Sequence, residues 1–533
     1  MTKKLFHFVL LVSFFFLLAS CGSVQHFDIL IKGGTVIDGL GQPGFLADVG
    51  IRGDRIEYIG KKKRTSGTTI IDGFGLVVAP GFIDIHTHCD RGILDQPDNK
   101  NYILQGVTTV IGGNCGGSPL SIKDYFDQVN SVSISTNIAV YVGHNTIRQK
   151  VMGQEDRAPT AKELSQMENY VDQAMKEGAL GLSTGLGYTP GMFSKTEEII
   201  ALNKVVGNHN GMYASHIRDQ GLGMYESVEE AIRIGREGGT RVQISHLKLS
   251  IDKLWGETEP LFQIIEEARK TGIEVYSDEY PYIAASTGLS VIFPAWSLSG
   301  GKLNDHLQNP ATREKLRKEM FHTGRMKTYR DRDMLSALQI ASYRNNPEYE
   351  GKTLREILVL RGDEPTLENG AELVMEMQSK GGASCVFFLM DEKDVAAIMK
   401  YPFNMIGSDG SVVRFDRGVP HPRSYGTFPR VLGKYVREDN RLTLEEAINK
   451  MTALPAKSLR FEDRGVLSPY KAADLVVFDP ETIRDLATFD DPHQYPIGIE
   501  VVIVNGVITV RDGSLTENRG GRAIYGPGKV SLN

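Results

Sequence analysis

The chain has 533 residues, 41% hydrophobic and 24% charged, the make-up of a globular protein. Its net charge of -6 is small for that length and excludes the strongly basic face that nucleic acid demands. At roughly 150 residues per domain the length allows three or four units, although α/β barrels run larger as single domains, and the 57 glycines suit a fold with many tight turns.

At the N-terminus Lys3 and Lys4 precede an apolar run over 5–19, too short for a confident transmembrane helix and matching an export-signal core. The run ends in Leu18-Ala19-Ser20-Cys21, which resembles a bacterial lipobox. Residues 1–20 are therefore read as a lipoprotein signal peptide, with a lipid on Cys21 as membrane anchor. Gly22 follows, with no aspartate to hold the protein at the inner membrane. The expected location is the cell envelope, at the outer membrane facing the periplasm. With Cys21 lipidated, Cys89, Cys115 and Cys385 remain, and unpaired cysteine in an exported protein favours a metal ligand over a disulfide. Cys385, in Ala383-Ser384-Cys385-Val386-Phe387-Phe388, reads as a small buried hydrophobe, and Cys89 as a bystander next to His88.

Residues 26–79 are β-rich, with turn signals at Gly33-Gly34, Asp38-Gly39, Gly53-Asp54 and Asp72-Gly73. From 80 to 463 strand and helix signals alternate. Strands are predicted at 82–88, 107–115, 138–144, 180–186, 212–217, 242–247, 273–280 and 405–409. Helices are predicted to start at capping boxes, Thr160 with Glu163, Ser194 with Glu197 and Ser227 with Glu230. Such alternation predicts a parallel sheet, and eight units are what a closed (β/α)8 barrel needs. The stretch 288–350 breaks the rhythm, with Trp296 and a basic cluster at 315–318, and is expected to be an inserted lid. Residues 464–533 are β-rich again; with 26–79 they predict one small β-sandwich built from both termini.

Five of the eight predicted strands end in residues that bind zinc: His86 and His88, then Cys115, His216, His246 and Asp409. A barrel gathers all five strand ends at one mouth. On a strand, residues i and i+2 share a face, so His86 and His88 point together, with Asp84 below them as an orienting group or a loop cap. A lone His216 or His246 would more often be a core residue; matching strand ends give them weight. Cysteine with histidine favours zinc over magnesium or calcium.

Six motifs then carry a resemblance over nearly the whole mature chain. They are Pro80-Gly81-Phe82-Ile83-Asp84-Ile85-His86-Thr87-His88, Gly113-Asn114-Cys115-Gly116, Gly181-Leu182-Ser183-Thr184-Gly185-Leu186, Ser245-His246-Leu247-Lys248, Gly407-Ser408-Asp409-Gly410, and the run from His421-Pro422-Arg423 to Phe428-Pro429-Arg430. The first resembles the amidohydrolase superfamily at large. The Asn-Cys-Gly and His-Pro-Arg motifs resemble its N-acyl-D-amino-acid deacylase (D-aminoacylase) branch.

The resemblance implies that His86, His88 and Asp409 hold one metal position and that Cys115, His216 and His246 hold the other, tighter one. One zinc is expected to be tightly bound, with a second, weak site. Many superfamily members bridge two metals with a carboxylated lysine on the fourth strand; 180–186 has none, and Cys115 accounts for its absence. The implied reaction is hydrolysis of an N-acyl-D-amino acid to a carboxylate and a free D-amino acid. Zinc would bring bound water toward a pKa of about 7, and Asp409 would take the water's proton and pass it to the leaving amine. Arg423 is the implied clamp on the substrate carboxylate, with Lys248, Tyr188 and Ser286 as further contacts; His144 is read as structural. The Asp409–Arg423 span is longer than in typical relatives, with the extra residues in 411–418. Two alternatives stand: an amidohydrolase acting on cyclic amides or D-aminoacyl peptides, and a non-catalytic zinc-containing ligand-binding lipoprotein. A basic residue among 315–332 would favour acidic substrate side chains; Trp296, Tyr282 and Phe293 would favour apolar ones.

Overall fold

The structure, a computed structural model, describes residues 24–61, 64–321 and 332–530. The predicted signal peptide, 1–20, and Cys21 lie outside them. Eight strands alternate with helices: Phe82–Asp84, Val107–Gly112, a third split into Asn137–Val140 and Val142–Gly143, Gly181–Gly185, Met212–His216, Arg241–Ile244, Val275–Glu279 and Asn404–Ile406. Neighbours pair in parallel from first to eighth. The seam between eighth and first is closed just beyond the strands. Asp409 N donates to His86 O at 2.8 Å and His88 N to Gly410 O at 2.7 Å.

Inside the barrel, Ile83, Ile85, Ile111, Ala139, Tyr141, Met212, Ala214, Tyr276 and Met405 form one apolar cluster. Ile111 is fully buried in it, and truncation to alanine costs about 2–5 kcal/mol. This plug fills the axis below the ligand residues and leaves the chemistry at the C-terminal ends of the strands.

Both termini share one nine-stranded sheet. Val77–Pro80 from the N-terminal part pairs antiparallel with Leu475–Phe478 from the C-terminal part, Val78 opposite Val477. Ile31, Val49, Ile51, Val477 and Ile503 pack between its faces, which makes the small β-sandwich beside the barrel.

Three expectations need correction. The predicted strands overrun the observed ones at their C-terminal ends, because the ligand residues other than His216, which ends its strand, sit on the turns that follow. Of the three predicted capping boxes, only Thr160 with Glu163 forms. The helix after Ser194 has Lys195 at its N-cap without a side-chain bond, and Ser194 Oγ donates instead to Gly191 O. Ser227 lies inside the helix Met224–Gly238, where its Oγ accepts from Asp219 N, while Glu230 pairs with Arg218. Finally, the excursion from the barrel runs past residue 350. Ala284–Gly288, Leu338–Ser342 and Ser384–Phe388 form a separate antiparallel sheet with the last in the middle. Its central strand comes last in the chain, so the sheet closes only after the helices Leu354–Arg361 and Leu367–Ser379.

Candidate metal centre and substrate site

Three of the ligand residues adopt the left-handed backbone conformation: Cys115 at φ 52°, His246 at φ 40° and Asp409 at φ 49°. Such residues cost about 1–3 kcal/mol each and persist where their surroundings impose them. The turn at Cys115 shows how. Gly113 has φ 73°, and a Cβ there would lie 2.2 Å from Tyr141 O. Asn114 Nδ2 donates to Ile111 O at 2.9 Å. Ser183 Oγ on the fourth strand donates to Gly113 O and accepts from Gly116 N. The fourth strand therefore contributes a serine that staples the cysteine turn.

The side chains converge. Cys115 Sγ lies 3.4 Å from His86 Nε2, 3.5 Å from His246 Nε2 and 3.8 Å from His216 Nδ1. His216 Nδ1 and His246 Nε2 are 2.8 Å apart. Asp409 Oδ1 is 3.0 Å from His88 Nε2 and 3.5 Å from His86 Nε2. Two groups result, His86, His88, Cys115 and Asp409 in one, and Cys115, His216 and His246 in the other, with the ligand atoms of each within 4.8 Å of one another. Cys115 is thus within reach of both positions, where the expected partition gave it to one. Burial opposes ionisation of its thiol, but His86 and His246 outweigh it, and the group is held well below its ordinary value. A thiolate among imidazoles with one carboxylate is a donor set that fits zinc.

Partners behind the ligands fix their orientation. Asp278, fully buried, lies 2.9 Å from His86 Nδ1, accepts from His246 N at 2.9 Å and takes Gln243 Nε2 on its other oxygen. His86 therefore presents Nε2 to the centre. Gln220 Nε2 does the same service at His246 Nδ1, 3.0 Å away. Asp84 is no partner of the rings. Its Oδ1 accepts from Ser408 N at 2.9 Å and from His86 N at 3.3 Å, so it braces the turn that carries Asp409. Burial pushes its carboxyl up to about 7. Cys89 is buried, accepts from Thr87 Oγ1 and belongs to neither group; Cys385 is buried in the inserted sheet. His144 binds Glu198 at 2.8 Å, away from the centre.

Beside the centre stands a cationic clamp. Arg423 Nη1 is 2.9 Å from Asp409 Oδ2, and Nη2 donates to Ser286 O at 3.3 Å. His421 sets this arginine, accepting from Arg423 N on Nδ1 at 3.0 Å while Nε2 meets Ala284 O at 2.9 Å. Lys248 Nζ donates to His246 O at 2.7 Å, and burial pushes it down to about 7. The Tyr280 ring lies 4.7 Å from Arg423 Cζ and 5.4 Å from Lys248 Nζ. Tyr188 packs on the His216 ring, centroids 4.4 Å apart.

Two cavities meet at Asp409. One of about 450 Å³ is lined by His88, Arg91, Cys115, Tyr188, Ser286, Val412 and Arg423. The other, about 40 Å³, is lined by His216, His246, Lys248, Tyr280, Ala285, Val291, Phe387 and Leu389. Trp296, Tyr282 and Phe293 line neither. Trp296 binds Glu319 and packs on His306 and Lys315; Tyr282 meets His421 edge to face and lies under Arg430. Among the described residues of 315–332, Arg317 and Lys318 pair with Glu314 and Arg332 donates to Phe388 O. The apolar wall comes instead from the inserted sheet.

The model of the Amidohydrolase family matches residues 69–244 and 337–510. The D-aminoacylase of Alcaligenes xylosoxydans xylosoxydans is 37% identical over 524 residues, covering 94% of this chain and 98% of its own length. The chain belongs to the amidohydrolase family. A crystal structure of D-aminoacylase, 37% identical, superposes on this amidohydrolase with a TM-score of 0.81 over 94% of this chain and 100% of the other. So does the N-acyl-D-glutamate deacylase of Bordetella bronchiseptica, 33% identical, TM-score 0.80, over 94% and 100% of the two chains. That enzyme was crystallised with zinc and a phosphonate inhibitor that mimics the tetrahedral intermediate of its reaction.

Asp278, Gln220, Tyr280 and His421 were missed by sequence reasoning. His421 opens a quoted motif, and Asp278 and Tyr280 lie inside the predicted strand 273–280, so polar atoms on an apolar barrel were the available signal. Asp278 acts through a contact to His86, 192 residues away, and Gln220 from the loop after the fifth strand through His246, 26 residues on.

Proposed function

We propose that this amidohydrolase hydrolyses N-acyl-D-amino acids to a carboxylate and a free D-amino acid. The observation that carries the reading is the adjacency of a thiolate–imidazole centre, a buried carboxylate and a cationic clamp around one pair of cavities. The named activities of its relatives agree with it.

Cys115, His216 and His246 would hold the tight zinc, with His86, His88 and Asp409 framing a second, weaker position that Cys115 also reaches. Zinc bound there would supply Lewis acidity and lower the pKa of water to about 7. Asp409 is the base and acid of the cycle. Burial opposes its ionisation, yet Arg423 and His86 hold its carboxyl well below the usual range, so it starts ionised and ready to take a proton. It then returns that proton to the leaving nitrogen. Arg423, Lys248 and Tyr280 bind the carboxylate of the substrate, with Ser286 and Tyr188 shaping the walls.

The address follows from Lys3, Lys4, the apolar run over 5–19 and Leu18-Ala19-Ser20-Cys21. It is an export signal with a lipid on Cys21, which sets the enzyme in the cell envelope of the bacterium, on the periplasmic side of the outer membrane.

The test is metal-dependent release of a D-amino acid from N-acetyl-D-amino acids. Chelated protein should be inactive and regain turnover with zinc. Bound zinc without release of any amino acid would favour a ligand-binding role.

A further inference from the structure

The strand Ala284–Gly288 crosses three connected cavities in order. Ala285, Ser286 and Thr287 line the small cavity that contains Lys248 and Tyr280. Ser286, Thr287 and Gly288 line the 450 Å³ cavity. Gly288, followed by Leu289 and Ser290, lines a third of about 630 Å³. Gly288 and Ser384 border both of the larger cavities, so the two adjoin along this strand and together form a trough. The small cavity has room for an anchored carboxylate and little more. The acyl side of the scissile bond therefore leads into the trough, whose length an acetyl group would not use.

Two features say what does. First, this strand pairs on one side only, with Ser384–Phe388. On its other edge His421 and Arg423 take the carbonyls of Ala284 and Ser286, so that edge faces the site, and it continues to Gly288 along the cavity wall. An open strand edge binds an extended peptide through backbone hydrogen bonds. Second, the trough is cationic. Arg344 and Lys380 line its far part, which has no acidic residue in its lining, and Arg91 and Arg423 line the near part, where Asp409 is the one carboxylate. Lys380 shares its charge with Glu376 at 2.8 Å, whereas Arg344 and Arg91 make no ion pair among the described residues.

We infer that the acyl group is a peptide with an acidic side chain, so that the enzyme releases a carboxyl-terminal D-amino acid from an acidic peptide. This rests on the deacylase reading and names its substrate class. The chemistry is unchanged: the last C–N bond breaks, water's oxygen goes to the acyl carbon and its proton to the leaving nitrogen.

The experiment compares zinc-loaded enzyme on N-acetyl-D-alanine, N-acetyl-Gln-Gly-D-alanine and N-acetyl-Glu-Gly-D-alanine. Both peptides should exceed N-acetyl-D-alanine in kcat/KM by about tenfold, the worth of one or two backbone hydrogen bonds. The Glu peptide should exceed the Gln peptide by about threefold, the size of an exposed ion pair. That preference should vanish in Arg344→Gln, and also in wild type at about 1 M salt, where screening is nearly complete. Turnover of N-acetyl-D-alanine equal to or above that of both peptides overturns the inference alone, as does a Glu preference unchanged in Arg344→Gln. Release from none of the three overturns the deacylase reading and the inference with it.

Discussion

Arg423 Nη1 lies 2.9 Å from Asp409 Oδ2, so the residue proposed as clamp for the substrate carboxylate and the residue proposed as base hold each other in the free protein. On the proposed roles, a substrate carboxylate arriving at Arg423 would offer the guanidinium another partner and free Asp409 toward the reacting atoms, which would make binding and activation of the base one event.

Replacing Arg423 by glutamine should act on both. Loss of a charge-assisted pair predicts a fall in kcat/KM of about tenfold to a hundredfold, mostly through KM. The sign of the pH effect follows from the environment of Asp409. Burial pushes its carboxyl up and Arg423 is the strongest influence holding it down. The base works only when ionised, so without Arg423 the acid limb of the kcat/KM profile should move to higher pH. Rates on N-acetyl-D-amino acids from pH 5 to 9 check it; an unmoved limb would separate the two residues.

Asp409→Asn keeps the shape and removes the base. The expected loss in kcat is about 10²- to 10⁴-fold. Zinc at Cys115, His216 and His246 should stay, because Asp409 belongs to the other ligand group. Metal analysis alongside turnover distinguishes this from loss of the metal.

Cys115→Ser should behave in the opposite order. Cys115 is the one residue common to both groups, so the variant should lose zinc on dialysis and, with it, activity. A serine variant that retains full zinc would contradict the assignment of Cys115 as ligand. Circular dichroism should be unchanged, since the turn is held by Gly113, Asn114 and Ser183 rather than by the thiol.

Lys450 gives a stability test away from the chemistry. It is buried, donates to Tyr401 O and Asn404 O, and burial pushes it down to about 8. The unfolded chain, with an ordinary lysine, binds more protons than the folded one between about 8 and about 10.4. Its contribution is therefore fully present above the unfolded value and lost as pH falls through about 8. Denaturant midpoints should rise with pH across that window more steeply in wild type than in Lys450→Met. Equal slopes would mean that the folded protein keeps this lysine at its ordinary value.

The barrel and its ligands were legible because each rests on local chemistry. His86, His88, Cys115, His216, His246 and Asp409 are metal-binding side chains that follow apolar stretches, and parallel strands put such positions together whatever the side chains behind them. What stayed hidden depends on long-range contact. Asp278 ties His86 to His246 only because the seventh strand lies beside the sixth and its side chain reaches across the axis to the first. The strand ends were overrun since left-handed residues at Cys115, His246 and Asp409 end the ladder without glycine or proline at those positions. Ser194 and Ser227 satisfied the spacing of a capping box, but tertiary bonds to Gly191 and Asp219 claimed their hydroxyls. The inserted sheet was missed for a topological reason: its central strand is separated from the first by nearly a hundred residues.

The most direct test of the account is chiral. Zinc-loaded enzyme should be given N-acetyl-D- and N-acetyl-L-alanine in parallel, with released amino acid measured for each and Asp409→Asn as control. The account predicts release from the D substrate alone, lost in the variant. Release from the L substrate at an equal rate, or from neither while zinc remains bound, would contradict it.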